Sequence, residues 1–179
     1  MAGTEETSRT ERVLDPSFVD GLEALDIAEL RARRDEALAE REFQSYLRRL
    51  IQVRQDIVRA EHERRDSGEE PGSVVDQLTD VLMEGPARGS SRGEALPLGP
   101  STEDMAEAER RADAATGGVS LADIRALNQD DLDRAMDALG DEERRVSDSR
   151  AAVLRVHDRL HDELKRRYRE DPSLIPTEV

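Results

Sequence analysis

Residues 141–160 read DEERRVSDSRAAVLRVHDRL, and residues 41–56 read REFQSYLRRLIQVRQD. Within the first lie Glu143, Ser147, Arg150, Leu154 and Asp158; within the second, 102 positions earlier, lie Arg41, Ser45, Arg48, Gln52 and Asp56. At about 100° per residue, steps of four, three, four and four keep each set within roughly 80° of one helical face. Each set is a polar stripe about four turns long, embedded in segments whose remaining periodicity is that of helices burying an apolar seam. Nine of the ten stripe positions are polar, in a place where serine, arginine and aspartate are normally excluded.

The same offset extends outward. Leu22-Glu23-Ala24-Leu25-Asp26 matches Ile124-Arg125-Ala126-Leu127-Asn128, and Leu30, Asp35 and Glu40 match Leu132, Asp137 and Glu142. A single offset over so many positions is internal duplication. Asp26 with Glu29, and Asn128 with Asp131, are the N-cap signatures of two long helices. The first runs without a breaker to about Arg65, roughly 39 residues or about 58 Å, and the second to about Arg169, behind the basic run Lys165-Arg166-Arg167 that suits a helix C-terminus.

Composition sets the fold class. The 179 residues include 42 acidic and 27 basic side chains, two Tyr, two Phe, no Trp and no Cys. With so few aromatics a thick globular core is out of reach, and no segment alternates as a strand does. The expectation is all-α: two long helices in an antiparallel coiled coil plus a short helix in a mostly disordered linker. Each helix is centred on its stripe, so an antiparallel pair brings the stripes face to face as a polar notch.

A formal charge of −15 disfavours direct nucleic-acid or anionic-membrane binding, which need basic surfaces. Lack of cysteine removes thiolate catalysis and thiolate metal sites. With neither a leader-like N-terminus nor a long apolar run, a cytoplasmic protein with no membrane partner is expected. No phosphate-binding loop or nucleophile motif points to an enzyme. His157 and His161 are an i, i+4 pair without a third ligand, so no metal is expected, and Glu61-His62-Glu63-Arg64-Arg65 reads as a solvated face.

Along the chain, residues 1–12 are polar and expected to be disordered, 13–66 hold the preamble and first motif helix, 67–118 form a flexible linker, 119–170 hold the second preamble and helix, and 171–179 form a tail. Inside the linker Val74, Val75, Leu78, Val81 and Leu82 fall at helical spacing behind Ser73, a short helix over 73–83 that must dock on the coiled coil or on a partner to be stable. The first long helix carries two apolar lines. Leu30, Ala37, Ile51 and Val58 form one; Phe43, Leu47, Leu50 and Ile57 form a second, rotated from it. Two seams imply two neighbours, one within the chain and one in trans.

Two readings of the notch stand side by side. Polar seam residues can set register and orientation in a purely structural scaffold. Alternatively the stripes hold a charged, symmetric ligand: arginine forks read guanine O6 and N7, a carboxylate accepts from the guanine N1–H and N2–H2 edge, and serine donates to phosphate. Two such sets around a two-fold suit a guanine dinucleotide.

The pattern E-x3-S-x2-R-x3-Q-x3-D, once on each of two long helices, resembles the signature of the RsiG family of actinobacterial anti-sigma factors. That resemblance implies an antiparallel coiled coil clasping a cyclic di-GMP dimer, and a WhiG-type sporulation sigma factor as partner. It implies nucleotide contacts from Ser45, Arg48, Gln52 and Asp56 and from Glu143, Ser147, Arg150 and Asp158. Arg41 stands where the pattern has Glu and Leu154 where it has Gln; Arg41 is placed in the ligand set as a phosphate contact. On this reading Phe43, Leu47, Leu50 and Ile57, with Leu78 and Leu82 of the short helix, face the sigma factor.

Overall fold

The computed structural model describes residues 8–67 and 99–175, so the short helix expected over 73–83, with Leu78 and Leu82, lies outside the described residues. Two helices dominate: α2, Ile27–Ser67, and α4, Gln129–Glu170. Asp26 accepts from the Glu29 N–H at 2.8 Å and Asn128 accepts from the Asp131 N–H at 2.8 Å, so both helices start where the caps predicted. Among the described residues there is no strand, and the fold is all-α.

The pair is antiparallel. Arg31 meets Tyr168, Ser45 meets Arg150, Arg48 meets Ser147, and Arg65 reaches Leu127 at the far end. At heptad spacing Leu30, Ala37, Gln44, Ile51 and Val58 are buried on α2, and Leu132, Leu139, Val146, Val153 and Leu160 on α4. The two lines are related by the 102-residue offset, and only Gln44 is polar in them.

Apolar packing is divided into two clusters. One joins Leu30 and Ala37 to Val153, Leu160 and Leu164; the other joins Phe43, Leu47, Ile51 and Val58 to Leu132, Ala135, Leu139 and Val146. Between them sit the stripes.

The duplicated preambles serve one purpose. Arg167 near the end of α4 donates to the carbonyls of Leu25 and Leu22, both at 2.6 Å. Arg65, its counterpart, donates to those of Leu127 at 2.8 Å and Ile124 at 3.5 Å. Each arginine is held by the glutamate one turn before it, Glu163 to Arg167 at 2.8 Å and Glu61 to Arg65 at 2.7 Å. Glu61 is 3% exposed, so the segment 61–65 is half an inter-helix clamp rather than a solvated face. Its carboxyl is lowered to about 2, chiefly by the Arg64 hydrogen bond, with Arg65 adding to it against the opposing cost of burial. Glu163 is lowered to about 2 in the same way by Arg166 and Arg167.

Two further helices depart from expectation. The N-terminus is helical from Arg9: α1, Arg9–Leu14, opens with a reciprocal Ser8–Glu11 capping box and buries Val13 completely. Within the stretch read as linker, α3, Thr102–Ala114, is capped by Ser101 accepting from the Asp104 N–H and carries Glu103 and Asp104 in its first turn. It lies on α2 through Ala108 and Ala112, both fully buried. Ordering comes from that docking, since a helix this short is marginal alone. The turn after α3 needs Gly117 at φ 66°, where a Cβ would stand 3.2 Å from that of Ala138.

Glu40, 1% exposed, ties these additions together. It accepts from Arg9 Nε at 2.7 Å, Thr10 Oγ1 at 2.5 Å and Gln44 Nε2 at 2.7 Å. Arg9 also pairs with Asp104 of α3 at 2.9 Å. Phe43 is 5% exposed, with the guanidiniums of Arg9 and Arg111 over its ring at 5.6 and 5.7 Å. The second α2 seam is therefore covered within the chain: Phe43 and Leu47 are buried, and Leu50 and Ile57 are half-buried.

Candidate functional site: the polar notch between the long helices

The notch is built from four side chains around the pseudo-two-fold. Arg48 Nε donates to Ser147 Oγ at 2.8 Å, and Arg150 Nε donates to Ser45 Oγ at 3.0 Å. These contacts are images of one another under the 102-residue offset, because Ser45 corresponds to Ser147 and Arg48 to Arg150. All four residues are half-buried, reachable from solvent yet flanked by apolar clusters that lower the local dielectric.

Beyond that centre the symmetry fails. Arg48 also pairs with Glu143 Oε1 at 2.8 Å. Ser147 donates to the same oxygen at 3.0 Å, and Gln52 Nε2 approaches it at 3.5 Å. One carboxylate thus organises Arg48, Ser147 and Gln52. In the other half the position of Glu143 is taken by Arg41 and that of Gln52 by Leu154. Arg41 turns to its neighbour Glu42, at 2.9 Å, and Ser45 donates to the Arg41 carbonyl at 2.8 Å. Among the described residues Arg150 has no ion pair; its hydrogen-bond partner is Ser45.

The stripe ends lie apart from this centre. Asp56 is exposed and paired with Arg59 at 2.5 Å, and Asp158 is exposed beside His157 at 3.3 Å. Of the residues named from sequence, the structure joins Ser45, Arg48, Gln52, Glu143, Ser147 and Arg150, leaves Arg41 adjacent, and holds Asp56 and Asp158 outside as exposed acceptors.

A groove of about 680 Å³ lies elsewhere, between α1 and α3 over Phe43. Its central charges, Arg9, Glu40 and Asp104, already satisfy one another, whereas the notch offers a donor without a counter-charge, so chemistry favours the notch. Sequence reasoning missed this Arg9–Glu40–Gln44–Asp104 network; the only trace of it was Glu40 and Gln44 on the inward side of α2. His157 and His161 stack with ring centroids 5.7 Å apart, and among the described residues no group of His, Asp and Glu could hold a metal ion. No described helix is long and apolar enough to cross a membrane.

No curated protein matches the chain. A family model described as RsiG-like matches residues 16–82, which include the first preamble and the whole Arg41–Asp56 stripe but stop short of the second. The second stripe repeats the first at a fixed offset and packs against it about a common two-fold. Over its first preamble and first motif helix, the chain is therefore similar to the RsiG-like family.

Proposed function

We propose that the protein is an anti-sigma factor that binds cyclic di-GMP between α2 and α4 and, with nucleotide bound, holds a WhiG-type sigma factor away from polymerase, repressing sporulation genes. Its role is regulatory, not enzymatic. The observation that carries this reading is the paired contact Arg48–Ser147 and Arg150–Ser45: two identical donor sets, half-buried, about a two-fold, which is the symmetry of a cyclic guanine dinucleotide. The RsiG-like match over residues 16–82 supports the anti-sigma role.

The residues fit such a ligand chemically. Guanidinium forks of Arg48 and Arg150 can engage guanine O6 and N7 or phosphate. Glu143, and the exposed Asp56 and Asp158, supply acceptors for the guanine N1–H and N2–H2 edge. Nucleotide would add charge-assisted contacts across the notch and so fix the helix pair. The net acidic surface complements the basic elements with which a sigma factor meets DNA. Phe43 is buried under the guanidiniums of Arg9 and Arg111, and Leu47 is buried in the cluster with Ala108 and Ala112 of α3, so a partner using that face must displace α3 or dock on the half-buried Leu50 and Ile57.

The test is thermal stabilisation by cyclic di-GMP with GMP as control, followed by titration of the sigma factor with and without nucleotide. Saturating cyclic di-GMP should raise the Tm and increase sigma affinity. No shift at saturation would favour a register-setting scaffold, a reading to which the Arg48–Glu143 ion pair lends its one specific observation. Equal sigma affinity in both conditions would remove the switch.

A further inference from the structure

The two halves of the notch are not chemically equal. In one, Arg48 is matched by Glu143 at 2.8 Å, with Ser147 and Gln52 directed to the same carboxylate. In the other, α4 contributes Arg150 and Leu154 but no carboxylate, α2 contributes Arg41, and the acid nearby is Glu42, the residue next to Arg41 in the chain. Arg41 occupies the place from which Glu143 reaches Arg48 across the pseudo-two-fold. By the 102-residue offset this half carries Arg41 where the other carries a carboxylate, and Arg150 is compensated only by the neutral hydroxyl of Ser45.

We propose that this asymmetry fixes the order and orientation of binding: the Arg41–Arg150 half is an anion seat that takes a phosphate of the nucleotide first, while the Arg48–Glu143 half stays self-paired until a guanine edge replaces Arg48 on Glu143. The inference rests on the functional reading above and deepens it. Arg150 can meet an arriving phosphate without any ion pair having to break, and Arg41 can join it by leaving Glu42, its partly exposed neighbour in the chain. Entry at the other half must first separate Arg48 from its carboxylate, and the guanine N1–H and N2–H2 donors are the groups that can take over that acceptor. The departure of Arg41 from the family pattern then marks a division of labour: phosphate at one end and base at the other.

Arg41→Glu separates the alternatives, because it restores the family residue and also offers Arg150 a cross-helix carboxylate. On this proposal the new pair occupies the seat, so full-length R41E melts at or above the wild-type temperature and binds cyclic di-GMP at least tenfold more weakly by calorimetric titration. Equal or tighter binding by R41E overturns the proposal while leaving the nucleotide-binding reading intact, since the added carboxylate would then be reading guanine. Arg41→Gln, which keeps a polar side chain of shorter reach and removes the charge, covers the case of a poorly folded R41E: several-fold weaker binding supports the seat, and unchanged affinity overturns it. A wild-type protein that gives no heat with cyclic di-GMP overturns the functional reading and this inference together.

Discussion

Truncating Arg150 to alanine separates a binding notch from a structural seam, because the two roles predict effects of different size. In the folded protein Arg150 Nε makes one hydrogen bond, to the neutral Ser45 Oγ at 3.0 Å. A bond of that kind contributes about 1 kcal/mol net, and the side chain is half-buried rather than sealed. For a chain of this size about 1 kcal/mol corresponds to a Tm change of about 2–4 °C. Arg48→Ala also removes an ion pair in which Arg48 is 38% and Glu143 20% exposed, worth about 0–1 kcal/mol after solvent screening. Its expected fall is therefore only a few degrees more. Ligand binding is another matter: each charge-assisted contact contributes about 1.5–3 kcal/mol, so either truncation should weaken cyclic di-GMP roughly tenfold to a hundredfold. Circular dichroism melts and calorimetric titrations on the same preparations provide both numbers. A large loss of helicity in R150A, or nucleotide affinity equal to wild type, would refute the assignment of this stripe to ligand binding.

Leu139→Ala, at a fully buried heptad position, should cost about 2–5 kcal/mol and lower the Tm far more than either arginine truncation; a change under about 2 °C would mean the packing of α4 on α2 is not as described. Glu40→Leu removes the buried acceptor shared by Arg9, Thr10 and Gln44 and leaves Arg9 only its pair with Asp104, so hydrogen exchange at residues 9–14 should accelerate by an order of magnitude or more while the middle of α4 stays protected; uniform acceleration would show that α1 is part of the main cooperative unit. Glu61 and Glu163 titrate at about 2 in the folded chain, below their ordinary unfolded value. Their stabilisation is therefore complete above about pH 4.5 and fades as pH falls through 2. A double Glu61→Gln, Glu163→Gln variant should show a shallower loss of Tm between pH 5 and 2 than wild type, and identical slopes would contradict the clamp.

The long helices, their caps and their antiparallel pairing were legible because each rests on local rules: Asp26 and Asn128 are cap residues, and Leu132 to Leu160 repeat every seven positions. The notch was legible for the same reason, since a helix carries its polar stripe wherever it packs. What escaped was decided by contacts between distant segments. Arg9–Leu14 is mostly polar by composition, and what it folds against lies far along the chain: Glu40, thirty-one residues beyond Arg9, and the Leu30–Leu164 cluster that receives Val13. Thr102–Ala114 offers α2 little but Ala108 and Ala112, a pattern too faint to read as a docking face until Phe43 is seen beneath it. Glu61 looked solvated because its partners include the adjacent Arg64 and Arg65; that Arg65 continues to the Leu127 carbonyl depends on the crossing of the two helices.

Arg65 lies seventeen residues beyond Arg48, and Arg167 lies seventeen beyond Arg150. At about 1.5 Å per residue each helix is a ruler of about 26 Å between notch and clamp, and the two rulers are read against each other in opposite directions. A single residue lost from either interval would turn the clamp arginine by about 100° away from its carbonyls, whatever the lost residue was. Length changes between Arg48 and Arg65, or between Arg150 and Arg167, should therefore survive only in steps near seven, while point substitutions on the solvent faces of the same intervals remain free. In this chain the count of residues constrains the clamp more strictly than their identity.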